Sequence, residues 1–134
     1  MSNLDGMDRG RDPFLVQWCH GSPGMIISLN NIPVGYSETF DDLMFKAGET
    51  IWQAGPLTKG IGLCHGADGN EYAFLKLFTR SKNELWLDRA RRFAMYGLDQ
   101  MNDRHTLWTG DIGFACYLHS CLSVDDGFPL LDFV

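Results

Sequence analysis

Gly62-Leu63-Cys64-His65-Gly66-Ala67-Asp68-Gly69-Asn70 sets a thiol and an imidazole directly before a Gly-x-x-Gly frame. The same arrangement stands earlier in the chain as Cys19-His20-Gly21-Ser22-Pro23-Gly24. A third copy of the frame, Gly110-Asp111-Ile112-Gly113, lacks the Cys-His pair. The first glycines of the three copies lie 45 and then 44 residues apart. The chain is therefore an internal repeat, with a period that accommodates one helical hairpin and its connections. Such units bury their apolar faces only against neighbouring units, so function is expected where the repeated loops converge.

The segments between the loops read as helices. Pro23 suits a first helical turn, and Met25, Ile26, Ile27 and Leu29 make a short helix that is apolar nearly all round. Asn30, Asn31, Pro33 and Gly35 stop it. A second helix is predicted from near Thr39 to Ala54, with Phe40, Leu43, Met44, Ala47 and Ile51 at helical spacing and Gly55-Pro56 as its stop. The next unit repeats the plan from about Asp68 to Phe78, with Ala73, Phe74, Leu77 and Phe78 facing inward and Gly66 at a close approach to its neighbour. Ser81-Lys82-Asn83-Glu84 has the form of a capping box before a further helix, whose apolar stripe is Trp86, Ala90, Phe93, Ala94, Gly97 and Met101. A last helix runs from about Asp111 to Leu122. The fold class is all-α.

The duplicated Cys-His pairs admit two readings. Zinc takes thiolate sulfur and neutral imidazole nitrogen, and a catalytic zinc keeps three protein ligands and one open position. Two convergent loops can supply that set from Cys19 together with Cys64 and His65. The other reading is of ordinary buried cysteines with histidines nearby, since free cysteine is among the most buried residue types. Recurrence in register with the glycine frame favours the metal. Cys116 and Cys121 fall on one predicted helix, where five residues of rise at about 1.5 Å each hold their Cα atoms too far apart for a disulfide. They read as core packing, and the cysteine usage as that of a reducing compartment.

Composition narrows the class further. With 134 residues and 45% hydrophobic content the chain is long enough for one domain. Nine Phe, four Trp and four Tyr suit an interior shared among several helices, some of whose surface would need a partner or a second copy to cover it. A net charge of −6 argues against nucleic acid and acidic membrane as partners. The cluster Arg89, Arg91 and Arg92 reads as a solvated helix face. The first residues carry no apolar signal core and no stretch is long enough to span a bilayer, which points to the cytoplasm.

Gln17-Trp18-Cys19-His20-Gly21-Ser22-Pro23-Gly24, Gly62 to Asn70, and Leu107-Trp108-Thr109-Gly110-Asp111-Ile112-Gly113 resemble the last three repeat motifs of the lanthionine synthetase C-like (LanC-like) family. The resemblance runs from about Asp12 to the C-terminus. It implies an α/α toroid of which residues 12–134 would form the C-terminal hairpins, an incomplete barrel, after a polar leader, Met1 to Arg11, expected to be disordered. By motif position it implies a zinc ion held by Cys19, Cys64 and His65. The family adds a thiol, from a peptide cysteine or from glutathione, to dehydroalanine or dehydrobutyrine. Its members carry four further hairpins before the motif at Trp18-Cys19, so the chain is expected to be a fragment and nearly inactive alone.

The family's proposed acid/base histidine belongs to those earlier repeats. His20 is the local candidate for an acid or base, its alternative being to pack beside the loop. Asp68 stands where members usually have a small neutral residue; it would either perturb the site or cap a helix. Two other functions remain open: a non-catalytic zinc-binding remnant acting through partner contacts, and a carbohydrate-active enzyme, since α/α toroids also house glycosidases. The latter needs two carboxylates across a cavity.

Overall fold

A computed structural model describes residues 16–57, 60–64, 66–101 and 103–132 of the chain. Among them are five helices: α1 (Ser22–Leu29), α2 (Glu38–Ala54), α3 (Ala67–Ser81), α4 (Glu84–Leu98) and α5 (Asp111–Ser123). The all-α expectation holds. The leader expected at Met1 to Arg11 lies outside the described residues. None of the helices is long and apolar enough to cross a membrane.

Helix α3 is the hub, packing against each of the other four. Its sequence explains why: Tyr72, Ala73, Phe74, Leu75 and Leu77 are all buried, more than one helical face can hold. Helix α2 starts where Ser37 Oγ accepts a hydrogen bond from the Phe40 amide at 3.3 Å. It ends where Gly55, at φ 76°, turns its N–H back onto the carbonyls of Ile51 and Trp52. Arg80 ties the α1–α2 connection to α3 by donating to the carbonyl of Ile32 at 2.8 Å and pairing with Asp41.

Several details depart from the sequence reading. Helix α1 is not buried all round: Ile26 and Ile27 are, but Met25 is 59% exposed, because α1 packs only on α2 and α3. Leu43 and Met101 are also exposed. The capping box does not form. Ser81 is still the last residue of α3, its hydroxyl donating to the Leu77 carbonyl at 2.8 Å, and Asn83 caps α4 by accepting from the Leu85 amide at 3.0 Å. Arg89 does not lie on a solvated face. It is buried, reaches Glu49 through two bonds of 2.6 and 3.1 Å, and sits over the rings of Trp52 and Trp86. Cys121 packs in the core as expected, whereas Cys116 is half-buried.

The repeat is visible in the coordinates as a shared backbone device. The first glycines of the three frames, Gly21, Gly66 and Gly110, are the N-caps of α1, α3 and α5. The second glycines, Gly24, Gly69 and Gly113, each press against the carbonyl of the residue six places earlier, Trp18, Leu63 and Leu107, where a Cβ would overlap the oxygen. Successive copies also interlock, with the Trp18 side chain lying against Gly69 and the Leu63 side chain against Gly113. Gly66 makes its close approach to the backbone of its own loop at 60–62, not to a neighbouring unit.

Candidate metal centre

Cys19 sits at the tip of a tight turn. Gln17 and His20 exchange backbone hydrogen bonds of 3.0 and 3.1 Å, which projects Trp18 and Cys19 from the turn just before α1 begins. His20 Nδ1 lies 3.0 Å from Cys19 Sγ, and Gln17 Oε1 lies 3.9 Å from the same sulfur. His20 is exposed, while Cys19 is half-buried.

Cys64 occupies the equivalent place in the second copy. Its loop is fixed from two directions: the Cys64 amide donates to the Trp108 carbonyl at 3.0 Å, and the Gly66 amide donates to the Gly62 carbonyl at 3.1 Å. Gly62 stands at φ +135°, and a Cβ there would overlap the backbone of Trp108 and Thr109. Only glycine suits that position on both counts. Trp108 itself fills the cysteine place of the third copy, two residues before its frame.

The first two loops meet although 45 residues separate their thiols. Asn70, in the first turns of α3, donates through Nδ2 to the Val16 carbonyl at 2.5 Å and so holds the chain leading into the Cys19 turn. Trp18 packs against both Trp108 and Phe128, with ring centroids 5.5 and 5.4 Å away, and those two rings also touch each other. Phe128 is fully buried, and its own turn is closed by Asp132, whose Oδ2 accepts both the Phe128 amide and the Lys76 ammonium at 2.7 Å. Phe128 and Asn70 were not singled out as positioning elements by the sequence reading. Their role depends on contacts across more than 50 residues, which no local pattern encodes.

The result is that the two thiols come close enough to influence each other. The Cys64 thiol is pushed up from its ordinary value, first by burial, then by the charge of the neighbouring Cys19 thiol and a hydrogen bond shared with it. A cation between two such sulfurs would reverse that effect. His65 lies outside the described residues. Among the described residues no group of three or more His, Cys, Asp or Glu is disposed to hold a metal. The chemistry of the donor set, two neighbouring thiols with an imidazole adjoining one of them and a second imidazole next in sequence to the other, nonetheless fits zinc.

Asp68 and Glu71, one turn apart on α3, are both fully buried. Carboxyls are rarely so buried without a charged partner. Asp68 does not cap its helix, because its Oδ2 reaches back past the cap to accept from the Gly62 amide at 2.9 Å. Among the described residues, neither Glu71 oxygen has a hydrogen-bond partner. Burial raises both carboxyls, Asp68 to about 7, with Asp111 adding to the rise and the Gly62 amide opposing it. Glu71 is raised well above its usual range, with Asp68 as the second cause. Carboxyls with no access to solvent cannot flank a glycosidic bond as hydrolysis requires. An open groove of about 660 Å³ lies between α5 and the C-terminal turn, lined by Ile112, Cys116, His119 and Leu130 among others, and it includes none of the candidate ligands.

A family model described as "Lanthionine synthetase C-like protein" matches residues 3–131 of the chain. The chain is 42% identical over 105 residues to a zebrafish (Danio rerio) protein named glutathione S-transferase LANCL1, an alignment that covers 77% of this chain and 25% of the relative. It is 35% identical over 129 residues to the LanC-like protein GCL1 of Arabidopsis thaliana, covering 86% of this chain and 30% of the relative. The chain thus spans under a third of the length of these relatives. With three registered glycine loops and two converging Cys-His motifs, the match over nearly its full length shows that the chain belongs to the lanthionine synthetase C-like family.

Proposed function

We propose that Cys19, Cys64 and His65 hold a zinc ion and that the site activates a thiol for addition to a dehydroalanine or dehydrobutyrine side chain. The observation that carries this reading is the convergence of the Cys19 and Cys64 loops, separate copies of one motif, held together by the Asn70–Val16 bond and by Trp18 against Gly69. When bound, the metal would supply a Lewis-acidic position at which an incoming thiol loses its proton at neutral pH. The chain's own residues would do the rest. Asn70 and the Trp18–Phe128 stack keep the Cys19 turn against the second loop. His20, exposed beside Cys19, is placed to take a proton from the thiol and return one to the carbon α to the carbonyl once the C–S bond has formed at the β-carbon.

Glutathione is the proposed small thiol, because the zebrafish relative is named a glutathione S-transferase. A peptide cysteine is the alternative thiol. The test is thiol addition by the 134-residue chain to a dehydroalanine peptide, with glutathione or a cysteine peptide as donor, against the Cys64→Ser variant. We expect slow turnover that Cys64→Ser abolishes, since positioned proton transfer alone contributes about a hundred- to ten-thousand-fold. Equal rates in the two proteins would remove the proposal and favour a non-catalytic role.

A further inference from the structure

We propose that Asp68 is a positioning residue for the Cys64 loop, its buried carboxylate holding the Gly62 amide and so setting the path of the chain that carries Cys64. This inference rests on the zinc reading of that loop. Among the described residues, three hydrogen bonds tie down the backbone amides of the loop: Cys64 N to the Trp108 carbonyl, Gly66 N to the Gly62 carbonyl, and Gly62 N to Asp68 Oδ2 at 2.9 Å. The first two run between backbone groups. Of the three, the bond accepted by Asp68 is the one that a side-chain substitution can remove.

Gly62 is pinned on its other side. A Cβ there would overlap Thr109 and Trp108, so the residue is held between the third loop and the carboxylate at φ +135°. Freed from Asp68, its N–H would be a buried donor without an acceptor, and the loop would have to move to hydrate it. Any such movement displaces Cys64, two residues on. Asp68 lies in the first turn of α3, where the partial positive charge of the helix terminus favours an anion, yet it spends its oxygen on the preceding loop instead of the helix. That choice distinguishes a loop tether from a cap.

The experiment uses the full chain with zinc as the probe, and has a metal-free arm. Zinc affinity would be measured by competition with a chromogenic chelator, and exchange of the Gly62 and Cys64 amides by NMR without metal, in wild type, Asp68→Ala, Asp68→Asn and Cys64→Ser. We expect Asp68→Ala to weaken zinc about ten- to a hundredfold, the range for losing a hydrogen bond that orients a metal site from outside it, and to speed exchange at both amides. Asp68→Asn should restore both, because its carbonyl oxygen can accept the same N–H. Wild-type exchange at Gly62 and Cys64 in Asp68→Ala overturns the proposal. Absence of zinc from the wild type, or equal zinc in Cys64→Ser, overturns the metal reading while the exchange arm still decides the role of Asp68. Should Asp68→Ala fail to fold, Asp68→Asn decides alone: protected amides support the tether and unprotected ones overturn it.

Discussion

His20 Nδ1 stands 3.0 Å from Cys19 Sγ, close enough for the imidazole to accept the thiol proton directly. The metal-free chain should therefore alkylate at Cys19 faster than a His20→Ala variant, by about tenfold or more. Mass spectrometry of iodoacetamide-treated protein over time measures this. Equal rates would mean that the imidazole only packs beside the loop.

Asp68 and Glu71 give the metal-free chain an inverted acid response. A carboxyl raised by folding binds its proton more tightly in the folded state, so its contribution to stability is complete below the unfolded value, 3.8 for Asp68, and is lost as pH rises through about 7. Asp41, held low by its hydrogen bond from Arg80, acts in the opposite sense and in a more acidic window. Denaturant titrations should find the chain more stable near ~pH 5 than near ~pH 8, with Asp68→Asn reducing the difference by on the order of a few kcal/mol. Stability that rises steadily across this interval would contradict the burial of the pair.

Phe128 joins the C-terminal turn to the Cys19 turn. Its ring is fully buried and lies 5.4 Å from Trp18 and 5.1 Å from Tyr72, centroid to centroid. Phe128→Ala should cost about 3–5 kcal/mol, and should shift tryptophan emission to the red as Trp18 and Trp108 gain water. A stability loss under 1 kcal/mol (about the cost of a surface change) with unchanged emission would show that the turn does not support the loop.

The repeat, the five helices and the two converging thiols were legible in the sequence because each rests on a local pattern: glycine spacing, apolar period, a duplicated dipeptide. What escaped depends on which side of an element meets a neighbour. Period locates α1 and α2 but does not say that Met25 and Leu43 face outward, since that follows from which helices pack beside them. Arg89 reads as a surface charge until Glu49, Trp52 and Trp86 are seen around it. The capping box fails because Lys82 takes the left-handed conformation, φ 57°, so that α3 closes over Ser81 and the next helix starts from Asn83. A carboxyl in the first turn of a helix looks like a cap, and only the bond it accepts from Gly62 shows Asp68 to be otherwise employed.

The claim on which the rest depends is that Cys19 and Cys64, with His65, hold one zinc ion. Metal content of the purified chain, measured by inductively coupled plasma mass spectrometry beside Cys19→Ser, Cys64→Ser and His65→Ala, tests it most directly. The account predicts one zinc per wild-type chain and sharply reduced occupancy in each variant; full occupancy in Cys64→Ser would contradict it.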